Sequence, residues 1–159
     1  MSVITPYIDN LENIKTEIPD IAKEAIKARS GEIIDLVRFG QLAIGRNSFD
    51  MPLKWSGGTG FYANNTQAYA DKQGAATPKR RGSPYSFQWT GDTFDSMGLK
   101  QKDLDSYEIF SIDGKRRLLE SLYGEIFRLT PEHNKFVNDT IIVPAIYQHI
   151  LKNLLRVKR

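Results

Sequence analysis

Ser83-Pro84-Tyr85-Ser86-Phe87-Gln88-Trp89-Thr90-Gly91-Asp92-Thr93-Phe94 opens the stretch that decides the fold, residues 83–130. Its aromatic lead-in is too proline-marked and irregular for a central strand. Thr90-Gly91-Asp92 is a turn signal, because Gly tolerates positive φ and Asp bonds its own backbone. Phe94–Lys100 and Tyr107–Ile112 then read as two short extended runs. In the second, Tyr107, Ile109 and Ser111 alternate with Glu108, Phe110 and Ile112. The polar residues 101–106 form the loop between them. Asp113-Gly114 is a further turn, and the spacing predicts a helix over Lys115–Phe127. On it Leu118, Leu122 and Ile126 form one i, i+4 row, with Leu119, Tyr123 and Phe127 beside it. Turns, strands and helix make a compact packing unit without a catalytic residue set.

Upstream, Leu11, Ile14, Ile18, Ile21, Ala22, Ala25 and Ile26 recur at helical spacing, with Lys15, Glu17, Lys23, Glu24 and Lys27 on the polar side. Pro19 lies inside this pattern and predicts a helix start or a kink there. Ser30-Gly31 reads as a joint. A second apolar group, Ile33, Ile34, Leu36, Val37, Phe39 and Leu42, runs on to a stop at Gly45-Arg46-Asn47-Ser48, with Gly40 weakening its continuity. Downstream, Thr130-Pro131-Glu132 signals a helix start: a Thr cap, Pro in the first turn and an acid behind it. Val143, Ile146, Tyr147, Ile150, Leu151 and Leu154 carry an apolar stripe to the end, and Pro144 predicts a break near Asp139-Thr140.

Residues 46–92 differ in kind. Polar and glycine-rich sequence there carries widely spaced aromatics, and Thr66–Gln73 reads as one short helix. Loops this long inside a domain usually have a function or a partner. Trp55, Phe61, Tyr62, Tyr69, Tyr85, Phe87 and Trp89 suit a protein interface, since aromatics give large contact area at low entropic cost. The same residues would equally plug an open side of the core. Lys79, Arg80 and Arg81 sit on a loop of this segment.

The 159 residues form one domain by length, with 40% hydrophobic and 26% charged residues. Its parts are N-terminal helices over 1–45, the loop-rich segment 46–92, strands and helix over 93–129, and a C-terminal helix over 130–159. The expected class is α+β, with the helices packed on a small antiparallel sheet. The expected core includes Phe94, Ile109, Leu118, Leu122, Phe127, Ile146 and Ile150. No apolar run is long enough to span a membrane. Met1–Pro6 lacks the basic start and apolar stretch of a signal peptide. There is no cysteine, which excludes disulfides and thiolate chemistry and fits assembly in a reducing cytosol.

Chemistry is sparse. His133 and His149 are too far apart along one helix to share a metal. Gly57-Gly58-Thr59-Gly60 lacks the Gly-Lys-Ser/Thr ending of a phosphate loop. Asp103-Leu104-Asp105-Ser106-Tyr107 begins like a calcium loop, but Tyr107 stands at an oxygen-ligand position. The remaining aspartates flank turns, which makes a two-metal nuclease a poor reading. No catalytic, metal or cofactor site is expected, and no enzyme. The net charge of +3 is modest. A nucleic-acid-binding accessory protein, using the basic loop 79–81 and the basic C-terminus, is the alternative reading.

Several short patterns point further. Thr90-Gly91-Asp92-Thr93-Phe94-Asp95-Ser96-Met97 matches Thr-Gly-x-Leu-x-x-Ser-hydrophobic, with Thr93 at the Leu position and Phe94 beside it to take the packing role. Gln41-Leu42-Ala43-Ile44-Gly45, Tyr69-Ala70-Asp71-Lys72, Asp113-Gly114-Lys115 and the run Leu119–Leu129 complete the series. In these the chain resembles the neck or tail-completion proteins of tailed phages, and it is most similar to proteins of gut Bacteroidota phages, including crAss-like phages. The resemblance covers about residues 30–155 in short, degenerate pieces. It implies a non-enzymatic virion protein assembled in the bacterial cytoplasm. It further implies a homo-oligomeric ring of roughly six or twelve copies. Portal or connector proteins and tail proteins are the implied partners, with non-specific DNA in the lumen and no membrane.

Overall fold

The computed structural model describes residues 5–53, 82–84, 86, 91–103 and 106–156. The chain is mixed α+β, with helices and a two-stranded antiparallel sheet. It divides into two compact units, one formed by residues 1–30 with 134–159 and the other by residues 31–133.

The first unit is an antiparallel helix pair. Helix α1 spans Thr5–Ala28. It runs straight through Pro19, which is exposed, so the carbonyl that loses its partner faces solvent rather than core. Its partner is the C-terminal rod, which leaves the cap at Thr130 and reaches Arg156. The antiparallel direction shows in two contacts: Asn10 Nδ2 donates to the Asn153 carbonyl, and His149 Nε2 lies 2.7 Å from Glu17 Oε2. Ile14, Val137 and Ile141 are buried between the helices. Ile146 and Ile150 are only half-buried, because two helices can cover just one face of each other.

The rod is interrupted where Pro144 predicts. Five residues, Asn138–Ile142, form a π-helical turn, and the Val143 N–H donates to the Asn138 carbonyl five residues back. Widening the turn lets the chain pass a residue that has no N–H to give.

In the second unit, α2 (Ser30–Val37) runs into a π turn over Arg38–Leu42. Ile33, Ile34, Val37 and Leu42 face its core. Gly45 at φ 74° ends the turn, and the loop 46–53 folds back on itself through the Asn47 Oδ1 bonds from Phe49 N and Met51 N, both 3.0 Å. A helical turn α3 (Asp92–Asp95) precedes strands β1 (Met97–Gln101) and β2 (Tyr107–Ser111). Met97 pairs with Ser111, Leu99 with Ile109 and Gln101 with Tyr107. The expected alternation of β2 holds, with Ile109 and Ser111 buried.

Two expectations require correction. Residues 94–96 are not strand: Gly91 at φ 94° turns the chain, and the N–H groups of Asp95 and Ser96 bond back to the Gly91 and Asp92 carbonyls. The turn swings Phe94 into the core. The helix predicted over 115–127 is α4, Arg116–Tyr123. It stops at Gly124, whose φ of 75° no other residue adopts cheaply. Ile126 and Phe127 are buried beyond that stop. Leu118 and Leu122, expected in the core, lie on the outer side of α4 at 58% and 48% exposure. Helix α5 (Pro131–Val137) begins as expected, with Thr130 Oγ1 accepting from the His133 N–H at 3.1 Å.

The π turn over Arg38–Leu42 is held by a buried glutamine. Gln41 is wholly inaccessible. Its Nε2 donates to the Arg128 carbonyl at 2.8 Å, and its Oε1 accepts from Thr130 N at 3.2 Å and lies 3.0 Å from His133 Nδ1. The His133 ring thereby lies over Gly40, where an added Cβ would come within 2.7 Å of Cε1. Gly40→Ala should therefore destabilise the protein by about 1–3 kcal/mol through overpacking. Gly31→Ala, which meets nothing within 4 Å, should be neutral or stabilise by up to about 1 kcal/mol. Urea denaturation of the two variants checks this; equal midpoints would contradict the contact.

Candidate subunit interface

The side of α4 that faces its own unit is fixed by charge. Arg116 Nη2 donates to Glu108 Oε1 at 2.6 Å, and its Nε to Glu120 Oε1 at 3.2 Å. Lys100 Nζ stands 3.4 Å from the other Glu108 oxygen. The Arg116 guanidinium also lies 5.5 Å from the centre of the Phe127 ring. The Arg116 hydrogen bond holds the Glu108 carboxyl below its ordinary range against a small desolvation cost, and the same bond raises Arg116. Helical periodicity then puts Leu119 and Tyr123, both half-buried, on the inner side with Arg116 and Glu120.

The turn that leads into α4 is equally fixed. Thr93 Oγ1 donates to Asp113 Oδ2 at 2.7 Å, and the Lys115 N–H donates to Asp113 Oδ1 at 3.0 Å. Ser96 and Ser111 hydroxyls share a 2.6 Å bond, and Ser111 Oγ accepts from Asp113 N. The residue at the Leu position of the Thr-Gly pattern, Thr93, is thus a hydrogen-bonding residue. Phe94 beside it is buried, as expected.

What remains outside is apolar. Ile112 is 77% exposed, and Leu118 and Leu122 follow it on the outer side of α4. The loop 46–53 is tied to the chain three residues past Leu122, where Ser48 N and Oγ both donate to the Glu125 carbonyl. That loop carries exposed Phe49 and Met51. Exposed Lys115 and Arg117 stand at the start of α4, where positive charge opposes the helix dipole. The first unit has its own exposed row on α6 (Val143–Arg156), formed by Val143, Tyr147 and Leu151 at i, i+4, i+8. Isolated exposed apolar residues are ordinary, whereas aligned rows mark contact surfaces.

The interface residues expected from sequence, Trp55, Phe61, Tyr62, Tyr69, Lys79, Arg80, Arg81, Tyr85, Phe87 and Trp89, all lie outside the described residues, as do Thr90 and the helix expected over 66–73. Sequence reasoning missed the α4 row because it assigned Leu118 and Leu122 to the core. The signals that identify it are Gly124 as a helix stop and the Arg116–Glu120 pair, which marks the inner side.

Among the described residues no cluster of His, Asp or Glu could hold a metal ion, and no helix is long and apolar enough to cross a membrane. Comparison with protein families, with characterised proteins and with solved structures gives no match to this chain.

The Asp113 turn has a pH signature. The Lys115 N–H and the Thr93 hydroxyl hold the Asp113 carboxyl below its ordinary 3.8. A carboxyl lowered in the folded state contributes stability that is complete above the unfolded value and disappears as pH falls through the folded one. Thr93→Val should lower stability near neutrality, and its deficit should shrink as the pH drops below 3.8. Urea midpoints measured across that range check the sign; a deficit independent of pH would contradict it.

Proposed function

We propose that this chain is a structural subunit of a tailed-phage virion, closing into a homo-oligomeric ring in the head–tail connector or tail. The observation that carries the reading is the pair of unlike apolar rows, one on each compact unit. The Ile112–Leu118–Leu122 row is aliphatic and edged by Lys115 and Arg117; the Val143–Tyr147–Leu151 row carries an aromatic and is bordered by Gln148 and Lys152. A ring subunit needs more than one sticky surface. Its contacts with neighbouring copies join two different faces, and rotation closes the circle. Further surfaces must meet the components above and below.

The Thr-Gly…Ser pattern resembling neck proteins lies in the turn before β1, where Gly91, Thr93 and Ser96 shape the packing of α3 against β2. That role is structural. Each half-exposed Leu or Val would contribute about 1 kcal/mol on being covered. A row of three therefore gives only weak association by itself, which the repeated contacts of a closed ring would strengthen.

Analytical ultracentrifugation and negative-stain microscopy test the reading. The purified chain should form one closed species that does not grow with concentration. Val143→Asp with Tyr147→Asp should reduce it to a folded monomer. A wild-type chain that stays monomeric at roughly 100 μM, well above the Kd of a specific interface, would overturn self-assembly into a ring.

A further inference from the structure

We infer that the outer face of α4 is a docking surface for an acidic amphipathic helix of a different protein. This deepens the ring proposal by naming the chemistry of one of its partners, and it rests on that reading for the partner's place in an assembly. The face consists of Ile112, Leu118 and Leu122, exposed at 77%, 58% and 48%. At about 100° per residue, Lys115 flanks the leucine row on one side and Arg117 on the other.

Within its unit these two cations stand apart. Arg46 pairs with Asp50, Lys100 with Glu108, Arg116 with Glu108 and Glu120, and Arg128 with Glu125. Neither Lys115 nor Arg117 has a carboxylate within ion-pair distance among the described residues. Asp113, the nearest acid in sequence, accepts from Thr93 Oγ1 and from the Lys115 backbone N–H, and its charge reaches the Lys115 ammonium without forming an ion pair with it. An apolar row edged on both sides by exposed positive charge that enters no ion pair among the described residues is complementary to an apolar row edged by carboxylates. A carboxylate arriving there would also relieve the unfavourable charge at the start of α4.

Four other occupants fit worse. A second copy docking α4 on α4 would offer Lys115 and Arg117 no acid, since Glu120, the one carboxylate of α4, is held on the inner side by Arg116. The α6 row of a second copy is bordered by Gln148 and Lys152, which offer no acid. Helix α1 has acids, but among its described side chains it exposes only one large apolar group, Leu11. A nucleic acid would leave the leucines unused. Two free cations give a salt slope of only about −2, which is too little to hold a duplex.

The test uses the full chain and two synthetic helical peptides of about 18 residues, long enough to hold helix. Both carry leucines at i, i+4; one has glutamate flanks and the other lysine flanks. Fluorescence anisotropy should show saturable, salt-sensitive binding of the glutamate peptide and at least about tenfold weaker binding of the lysine peptide. Lys115→Glu with Arg117→Glu should reverse that preference, and Leu118→Ser with Leu122→Ser should abolish binding. Circular dichroism checks that these surface variants remain folded. Equal affinity for the two peptides, or no saturable binding, overturns the inference without recourse to any variant. Duplex DNA bound through Lys115 and Arg117 in place of the peptide overturns it, as does self-association lost on the same substitutions. Peptide binding by a chain that forms no ring would sustain this inference while the ring proposal failed. Ring formation without peptide binding would do the reverse.

Discussion

The second unit depends on the side-chain amide of Gln41. A buried amide without partners costs several kcal/mol, and this one meets the cost with bonds to Arg128, Thr130 and His133, some ninety residues away in sequence. Those bonds fix the 128–133 segment against the π turn. The Ser48 bonds to the Glu125 carbonyl fix the chain a few residues earlier. Between these two anchors, Ile126 and Phe127 have to enter the core. The chain must therefore leave its helix at Gly124, and α4 is limited to two turns with Leu118 and Leu122 outside. The surface follows from the core.

Locally encoded features were legible in the sequence. Thr130-Pro131-Glu132 starts a helix because a hydroxyl, an imino ring and an acid each satisfy a first-turn requirement. Pro144 disrupts the rod because it has no N–H, although a π turn rather than a kink absorbs the loss. The alternation of β2 identified its buried side, and the α+β class followed from these pieces.

Features set by distant partners were not legible. Ile126 and Phe127 sit in phase with Leu118, Leu122 and Leu119, so periodicity extends the helix past Gly124 and assigns the wrong row to the core. The pairings of Ser48 with Glu125 and of Gln41 with Arg128, seventy-seven and eighty-seven residues apart, select the other solution at Gly124. Gln41 gives no sign of its role either, since an amide on an amphipathic stretch reads as surface. The Phe94 segment resembled a strand because its apolar spacing suits either state, and the hydrogen bonds to Gly91 and Asp92 decided it. Of the candidate site, the sequence shows the basic run Lys115-Arg116-Arg117 itself. It does not show that Arg116, the middle residue, is already occupied by Glu108 and Glu120.

Each of the two compact units exposes an apolar row of its own. Each row alone supports only weak binding, and on the proposed reading several copies held together would raise it by avidity. The most direct test is a cryo-electron microscopy reconstruction of an assembled particle containing this chain. The account predicts several copies in a closed ring, with Leu118 and Leu122 covered by a different protein and an acidic side chain beside Lys115 or Arg117. A particle without the chain, or one in which that leucine row faces open solvent, would contradict it.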